Sequence, residues 1–313
     1  LVTTAEDATI VLGTATNAFT GALLITTNDT GTDTAGDVTI SAGSGAVLDF
    51  GNSTIDGDLI ATSSNTTGIT DSGAVTVRGT ASFQTTAANA DISLGTSTLG
   101  DGTGTDTITL NTTGSGGDAT LDNATTVVVL GTSAAALVTS VGGDLTLRSG
   151  AAAGITDSAT VTVVGDLDAR TDDNSGVINL DQLAVNGAVI LNTNGSGNAA
   201  VVNDAGLNLW RATVGGNLTA TATTGNIADT GALTIAGTSS FTTSADNADI
   251  ILNNANAFTG AVALNTTGSS GHATVVDASG LDLGASTVGG NLTATATTGN
   301  MTDSGVLTIA GTS

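Results

Sequence analysis

The chain has no cysteine, no lysine and no tyrosine, and only 2% of its 313 residues are aromatic. Without cysteine there are no disulfides, thiolate metal centres or thiol nucleophiles. Five Phe and one Trp are too few large side chains for a broad globular core. Basic residues are as scarce. Four arginines (Arg78, Arg148, Arg170, Arg211) face 28 acidic residues, a net charge of −24, which excludes nucleic-acid binding driven by phosphate neutralisation. No apolar run approaches the ~18 residues of a membrane helix, and no signal-peptide pattern follows Leu1. Membrane insertion is not expected of this segment, which reads as a piece of a longer polypeptide.

What the chain does contain is aspartate, glycine and small β-formers. Glu6 is the sole glutamate, so nearly all the negative charge is aspartate, a turn-former. The 44 glycines point the same way. Leu, Ile, Val and Phe make up close to a quarter of the residues, above the level of a disordered chain. A long, thin fold satisfies both facts.

Internal repetition decides the architecture. Residues 214–239 read VGGNLTATATTGNIADTGALTIAGTS and residues 288–313 read VGGNLTATATTGNMTDSGVLTIAGTS, a period of 74. Weaker copies occupy 55–77 and 141–163, and the Asp of the I-T-D-S element recurs at Asp71, Asp157, Asp229 and Asp303. Four repeats are expected, at 1–82, 83–168, 169–240 and 241–313. Residues 1–12 match 241–252, and 309–313 match the residues before Phe241, so the segment reads as an integral number of units from a tandem array.

Within each unit, aliphatic residues alternate with small or polar ones, as in Leu292-Thr293-Ala294-Thr295 and Val306-Leu307-Thr308-Ile309. Clusters of Gly, Asn, Asp and Ser bound these runs, which predicts short strands and almost no helix. Such strands bury a face only by stacking on copies of themselves. The expected fold is therefore all-β, a parallel β-solenoid (β-helix) of roughly three coils per repeat. The four repeats form one continuous solenoid of about a dozen coils at ~4.8 Å spacing.

The pattern G-N/D-L-T-x-x-x-x-x-G-x-I-x-D-S-G-x-L-T-I-x-G, with ADI-x-L and FTGAV-x-L between copies, resembles the β-strand repeats of filamentous-haemagglutinin-like exoproteins and large bacterial surface adhesins. The resemblance covers essentially the whole chain. It implies a secreted, extracellular or cell-surface location and a stalk role. Open coil edges imply self-association, head to tail, into a filament or a longer array. Surface glycans or other cells are the further partners it implies.

Candidate chemistry is sparse. Gly100-Asp101-Gly102-Thr103-Gly104-Thr105-Asp106-Thr107-Ile108 fits most of a calcium-binding nonapeptide. Calcium in that architecture needs oxygens from two consecutive turns, and the partial copy Thr30-Gly31-Thr32-Asp33-Thr34 is too far away to supply them. Asp101 and Asp106 therefore stand as a weak candidate site, with a plain Gly/Asp loop as the simpler reading; no cofactor is required. Asp71, Asp157, Asp229 and Asp303 are read as turn positions accepting backbone N–H groups, with a cation-bridged carboxylate column as the alternative. Trp210-Arg211 replaces Gly284-Ala285 of the next copy, either as an outward anchor for a partner or as a filled corner gap. The runs Thr219-Ala220-Thr221-Ala222-Thr223 and Thr293-Ala294-Thr295-Ala296-Thr297 resemble ice-binding faces, or are ordinary strand surfaces. His272, the only histidine, aligns with Asp118 and is read as a surface turn rather than a base.

The expectation is a structural solenoid with no enzymatic activity. The alternatives are a ligand-binding module for glycan, host surface or ice, and a β-helix polysaccharide-degrading enzyme, which would need an acidic groove.

Overall fold

The computed structural model describes residues 1–28, 35–132 and 138–313. The described residues carry short strands and no helix. They divide into two compact units, Leu1–Gly165 and Asp166–Ser313. Each unit is a parallel β-solenoid whose strands alternate between two facing sheets.

Pairing is parallel in both units. In the second unit Ile178, Ala199, Leu218, Ser239 and Val262 are successive partners in one sheet, so a coil takes 19 to 23 residues. No proline interrupts the ladders, as expected where every interior N–H must donate to the next coil.

The core is a narrow seam between the sheets, filled by alternate residues of each strand. Large side chains sit beside small ones along the axis: Phe83 between Ala61 and Leu110, Phe241 between Ala220 and Leu264. Phe50 and Phe83 meet edge to face across the first unit, 6.3 Å between ring centres. Phe241 and Phe258 do so across the second, at 6.0 Å. All four rings are buried, and this alternation of volumes lets a few aromatics fill a thin interior at native density.

The coil length has a consequence that three coils per repeat would not have. Seventy-four residues at about 21 per coil make three and a half coils. The homologous strands Leu218–Ala222 and Leu292–Ala296 consequently lie in opposite sheets of the second unit. In the first unit Leu59–Ser63 and Leu145–Ser149 do the same. Each copy of the repeat is turned half a revolution from the one before it within its unit.

Candidate functional site

The polar side chains are organised first by the corners. Where the chain enters a strand, the side-chain oxygen of an Asx residue accepts the backbone N–H at the equivalent corner of the next coil. Asp37 takes Asp58 N–H at 2.9 Å, and Asp58 takes Thr80 N–H at 2.8 Å. Asp91 and Asp118 continue the pattern at another corner, taking the N–H groups of Asp118 and Asp144. In the second unit Asn198 takes Asn217 N–H and Asn217 takes Thr238 N–H. A further run is Asn226, Asp249, His272 and Asn291, which accept from Asp249, His272, Asn291 and Thr312 at 2.7 to 2.9 Å.

These ladders explain the sequence motif. At many rungs the preceding residue must be glycine, because a Cβ at Gly57, Gly143, Gly216, Gly237 or Gly290 would collide with the side chain reaching up from the coil below; Ala248, before Asp249, shows that not every rung requires it. His272 belongs to the ladder, since its Nδ1 accepts Asn291 N–H at 2.8 Å. It does the work of an Asx oxygen in the neutral tautomer with Nδ1 unprotonated. The alignment with Asp118 was the signal for this role.

A second set of Asx residues lies inside the coils and escaped sequence reasoning. Asn123 and Asn203 are buried. Asn203 accepts Val185 N–H at 2.8 Å and donates to Val185 O and Gly206 O. Asn123 does the same for Leu99 N–H, Leu99 O and Val127 O. Asp277 holds the homologous position and accepts Phe258 N–H and Ser279 N–H. The recurrence ATLDN, AAVVN, ATVVD was the available signal.

The recurrent aspartates do not form a column. Asp71 and Asp157 lie in opposite sheets of the first unit, and Asp229 and Asp303 in opposite sheets of the second. The half-coil in the repeat separates them. Asp71 accepts Gly95 N–H at 2.8 Å and Thr96 N–H at 2.9 Å, and Asp229 accepts Asn253 N–H, Asn254 N–H and Asn256 Nδ2–H. Each carboxylate caps an irregular stretch of the next coil. Asp157 ends the strand Ile155–Asp157, and Asp303 ends Met301–Asp303, where it is exposed.

In the Gly100–Thr107 segment, Gly100, Gly102 and Gly104 all have φ of 80° to 85°, the left-handed region glycine tolerates. Asp101 and Asp106 do come together: Asp106 Oδ2 accepts Asp101 N–H at 3.0 Å. Asp101 Oδ1 in turn accepts Thr103 N–H at 2.7 Å and Thr103 Oγ1–H at 2.6 Å. The Thr103 hydroxyl and amide hold the Asp101 carboxyl below its ordinary range, while burial pushes Asp106 up. Two carboxylates already engaged by loop donors fall short of the six to eight oxygens calcium takes. No group of three or more His, Cys, Asp or Glu that could hold a metal occurs among the described residues. Residues 30–34, the partial second copy, lie outside the described residues.

The threonine runs point outward but build no regular array. Thr219 lies between Ala200 and Ser240 in the register, and Thr221 between Val202 and Thr242. The second run is in the opposite sheet, again because of the half-coil. These two runs therefore do not align with one another into a single threonine face.

Trp210 and Arg211 occupy a bulge in the strand Leu207–Val214. Leu209 and Ala212 on either side are buried, whereas Trp210 is 40% exposed and Arg211 also faces out. The pair sits on the outer face and not in a corner gap. The guanidinium lies over the indole, 4.9 Å from the ring centre.

The family described as Repeats of unknown function (DUF5649) matches residues 35–98, 196–265 and 270–313, more than half of the chain. The chain belongs to this family. Each DUF5649 match opens one residue before a Gly-Asx or Gly-His corner pair: Gly36-Asp37, Gly197-Asn198 and Gly271-His272. The last two matches begin 74 residues apart, the period of the DUF5649 repeat in this chain. No curated protein and no solved structure matches the chain.

Proposed function

We propose that this DUF5649 solenoid is a structural element, a stalk segment of a bacterial surface protein exposed outside the cell, with no catalytic role and no required cofactor. The observation that carries the reading is the engagement of its chemistry-bearing side chains. Asp, Asn and His, which elsewhere serve as bases or ligands, here accept backbone N–H groups of the neighbouring coil. Each such bond contributes about 0.5–1.5 kcal/mol net, and together with the strand ladders they resist separation of coils along the axis. The resemblance to haemagglutinin-like exoproteins supports the surface location.

Self-association belongs to the same reading. Past the strand Leu307–Ile309, Met301, Leu307 and Ile309 line an open apolar depression of about 500 Å³ with Leu283 and Leu292. A further coil, of the same array or of a second copy, would cover it and pair the free strand edges. The net charge of −24 keeps neighbouring molecules apart laterally and makes bundling depend on salt or divalent cations.

Immunogold electron microscopy of producing cells, with antibody raised against this segment, tests the proposal. Label along thin projections outside the envelope, lost on protease shaving of intact cells, is the expected result. Label confined to the cell interior, or depolymerisation of polysaccharide by the purified protein, would overturn it.

A further inference from the structure

We propose that the outer face around Trp210 and Arg211 binds an acidic saccharide, one carrying carboxylate groups on its rings. The inference goes beyond the stalk reading and does not rest on it. Outward side chains of three adjacent strands meet here: Asp168 and Arg170 on Leu167–Thr171, Asn192 on Ala188–Asn192, and Trp210, Arg211 and Thr213 on Leu207–Val214. Arg170 pairs in register with Asn192, and Asn192 with Thr213. They surround a depression of about 240 Å³, below the ~300–1,000 Å³ of sites for drug-sized ligands and suited to a single sugar ring.

The face is constructed at a cost. One period later, at Gly284-Ala285, the chain simply ends one strand, Leu281–Leu283, and begins another at Ser286. Here instead the strand runs on through a register shift, and Arg211 adopts φ of 69°, a left-handed conformation costing a non-glycine residue roughly 1 kcal/mol or more. Gly231 of the next coil makes room for the indole, since a Cβ there would lie 3.1 Å from Trp210 Cδ1.

Charge selects the ligand. Arg78, Arg148 and Arg170 are each paired with an aspartate: Asp56 at 3.0 Å, Asp122 at 3.4 Å and Asp168 at 2.6 Å. The Arg211 side chain has no ion pair or hydrogen bond among the described residues; its guanidinium lies over the indole. In a chain of net charge −24, an arginine left without a carboxylate on an exposed face is a receptor for one from outside, by bidentate hydrogen bonding. Asn192, Thr213 and the Asp168–Arg170 pair offer donors and acceptors for hydroxyls, and the exposed part of the indole offers an apolar surface for ring C–H groups.

Two features favour a saccharide over a peptide. The strands forming the floor are paired on both sides, so no free edge exists for a peptide backbone to extend. The depression also shares Thr213 with a second groove of about 350 Å³, where Thr193, Thr234 and Thr259 alternate with small residues such as Gly195, Ala236 and Ala257. The two together leave room for a linear oligomer longer than one ring.

Trp210 is the only tryptophan and there is no tyrosine, so intrinsic fluorescence reports on this site alone. Titration with trigalacturonate should shift or quench the emission saturably, while maltotriose and an Asp/Glu-rich peptide of similar length should not. Arg211→Gln should weaken trigalacturonate binding by about tenfold or more, with the circular dichroism spectrum unchanged. W210G/R211A, which installs the Gly-Ala found one repeat later, should fold and show no binding by calorimetry. The proposal is overturned by absence of a saturable response at about 10 mM trigalacturonate, weaker than the ordinary millimolar limit. Equal binding of maltotriose or of the peptide, or unchanged affinity in Arg211→Gln, overturns it as well.

Discussion

At the residue scale, an Asx or its substitute accepts the backbone N–H above it at each such corner, and at many of them a glycine leaves the path open. Gly216→Ala places a methyl against the Asn198 side chain and is expected to cost about 1–3 kcal/mol. Equilibrium urea unfolding, followed by circular dichroism, measures it. The buried Asn203→Ala removes the side-chain partner of Val185 N–H, Val185 O and Gly206 O, an expected loss of about 2–4 kcal/mol. His272 gives the sharpest discrimination. His272→Asn restores the commoner rung and should leave stability within about 0.5 kcal/mol. His272→Leu removes the acceptor of Asn291 N–H and should cost about 0.5–1.5 kcal/mol. Equal stability of the two variants would show that the rung contributes nothing at that corner.

At the scale of single elements, the Gly100–Thr107 segment has opposed carboxylates. Thr103 holds Asp101 down, so its contribution to stability is present above the unfolded value and lost as pH falls through the lower folded one. Burial raises Asp106, so its ionised form opposes folding at neutral pH, and that penalty is relieved as pH falls through its raised value. On acidification Asp106 should take up its proton first, perturbing the Asp101 amide, and Asp101 second, perturbing Thr103. Proton–nitrogen correlation spectra of these two amides check the order, and a reversed order would contradict the hydrogen bonds described for the loop. The strands themselves were legible in the sequence, because alternation of aliphatic and small residues survives in every copy. The roles of Asp71 and Asp229 as acceptors were legible as turn chemistry, whereas their acceptance from the following coil was not, since partners about 25 residues away carry no local signal. The interior Asn123 and Asn203 were hidden for a related reason: in sequence they resemble surface turn residues, and only the closing of the coil buries them. Trp210-Arg211 was legible as a break in the repeat, but the surrounding Asp168, Arg170 and Asn192 became a site only through the register of three coils.

At the scale of each whole solenoid unit, the half-coil in the repeat governs what the array displays. A strand such as LTATA is accommodated in either sheet, as Leu218–Ala222 and Leu292–Ala296 demonstrate in the second unit. The two sheets are therefore chemically interchangeable, and a feature encoded once per repeat alternates between opposite faces. Three coils per repeat would have lined up such features in a row on one face, about 14 Å apart along the axis. The half-coil instead puts successive copies on opposite faces, so the recurrent aspartates share no face within a unit. A deletion tests the interchangeability directly. Removing residues 214–287 joins Thr213 to Val288, so that Leu292–Ala296 inherits the neighbours of Leu218–Ala222 and moves to the other sheet. Because the two segments are nearly identical, the shortened chain should fold, with unchanged β signal per residue, a thermal midpoint within a few degrees of the parent and a unit shorter by about 17 Å in small-angle scattering. Removing residues 214–250 instead joins the same corner to Ile251, in the middle of a strand, and puts the alternation of buried and exposed residues out of step. That variant should lose cooperative unfolding. If both deletions unfold alike, strand sequence distinguishes the two sheets after all, and the half-turn between copies is a packing requirement of each position, not a freedom of the repeat.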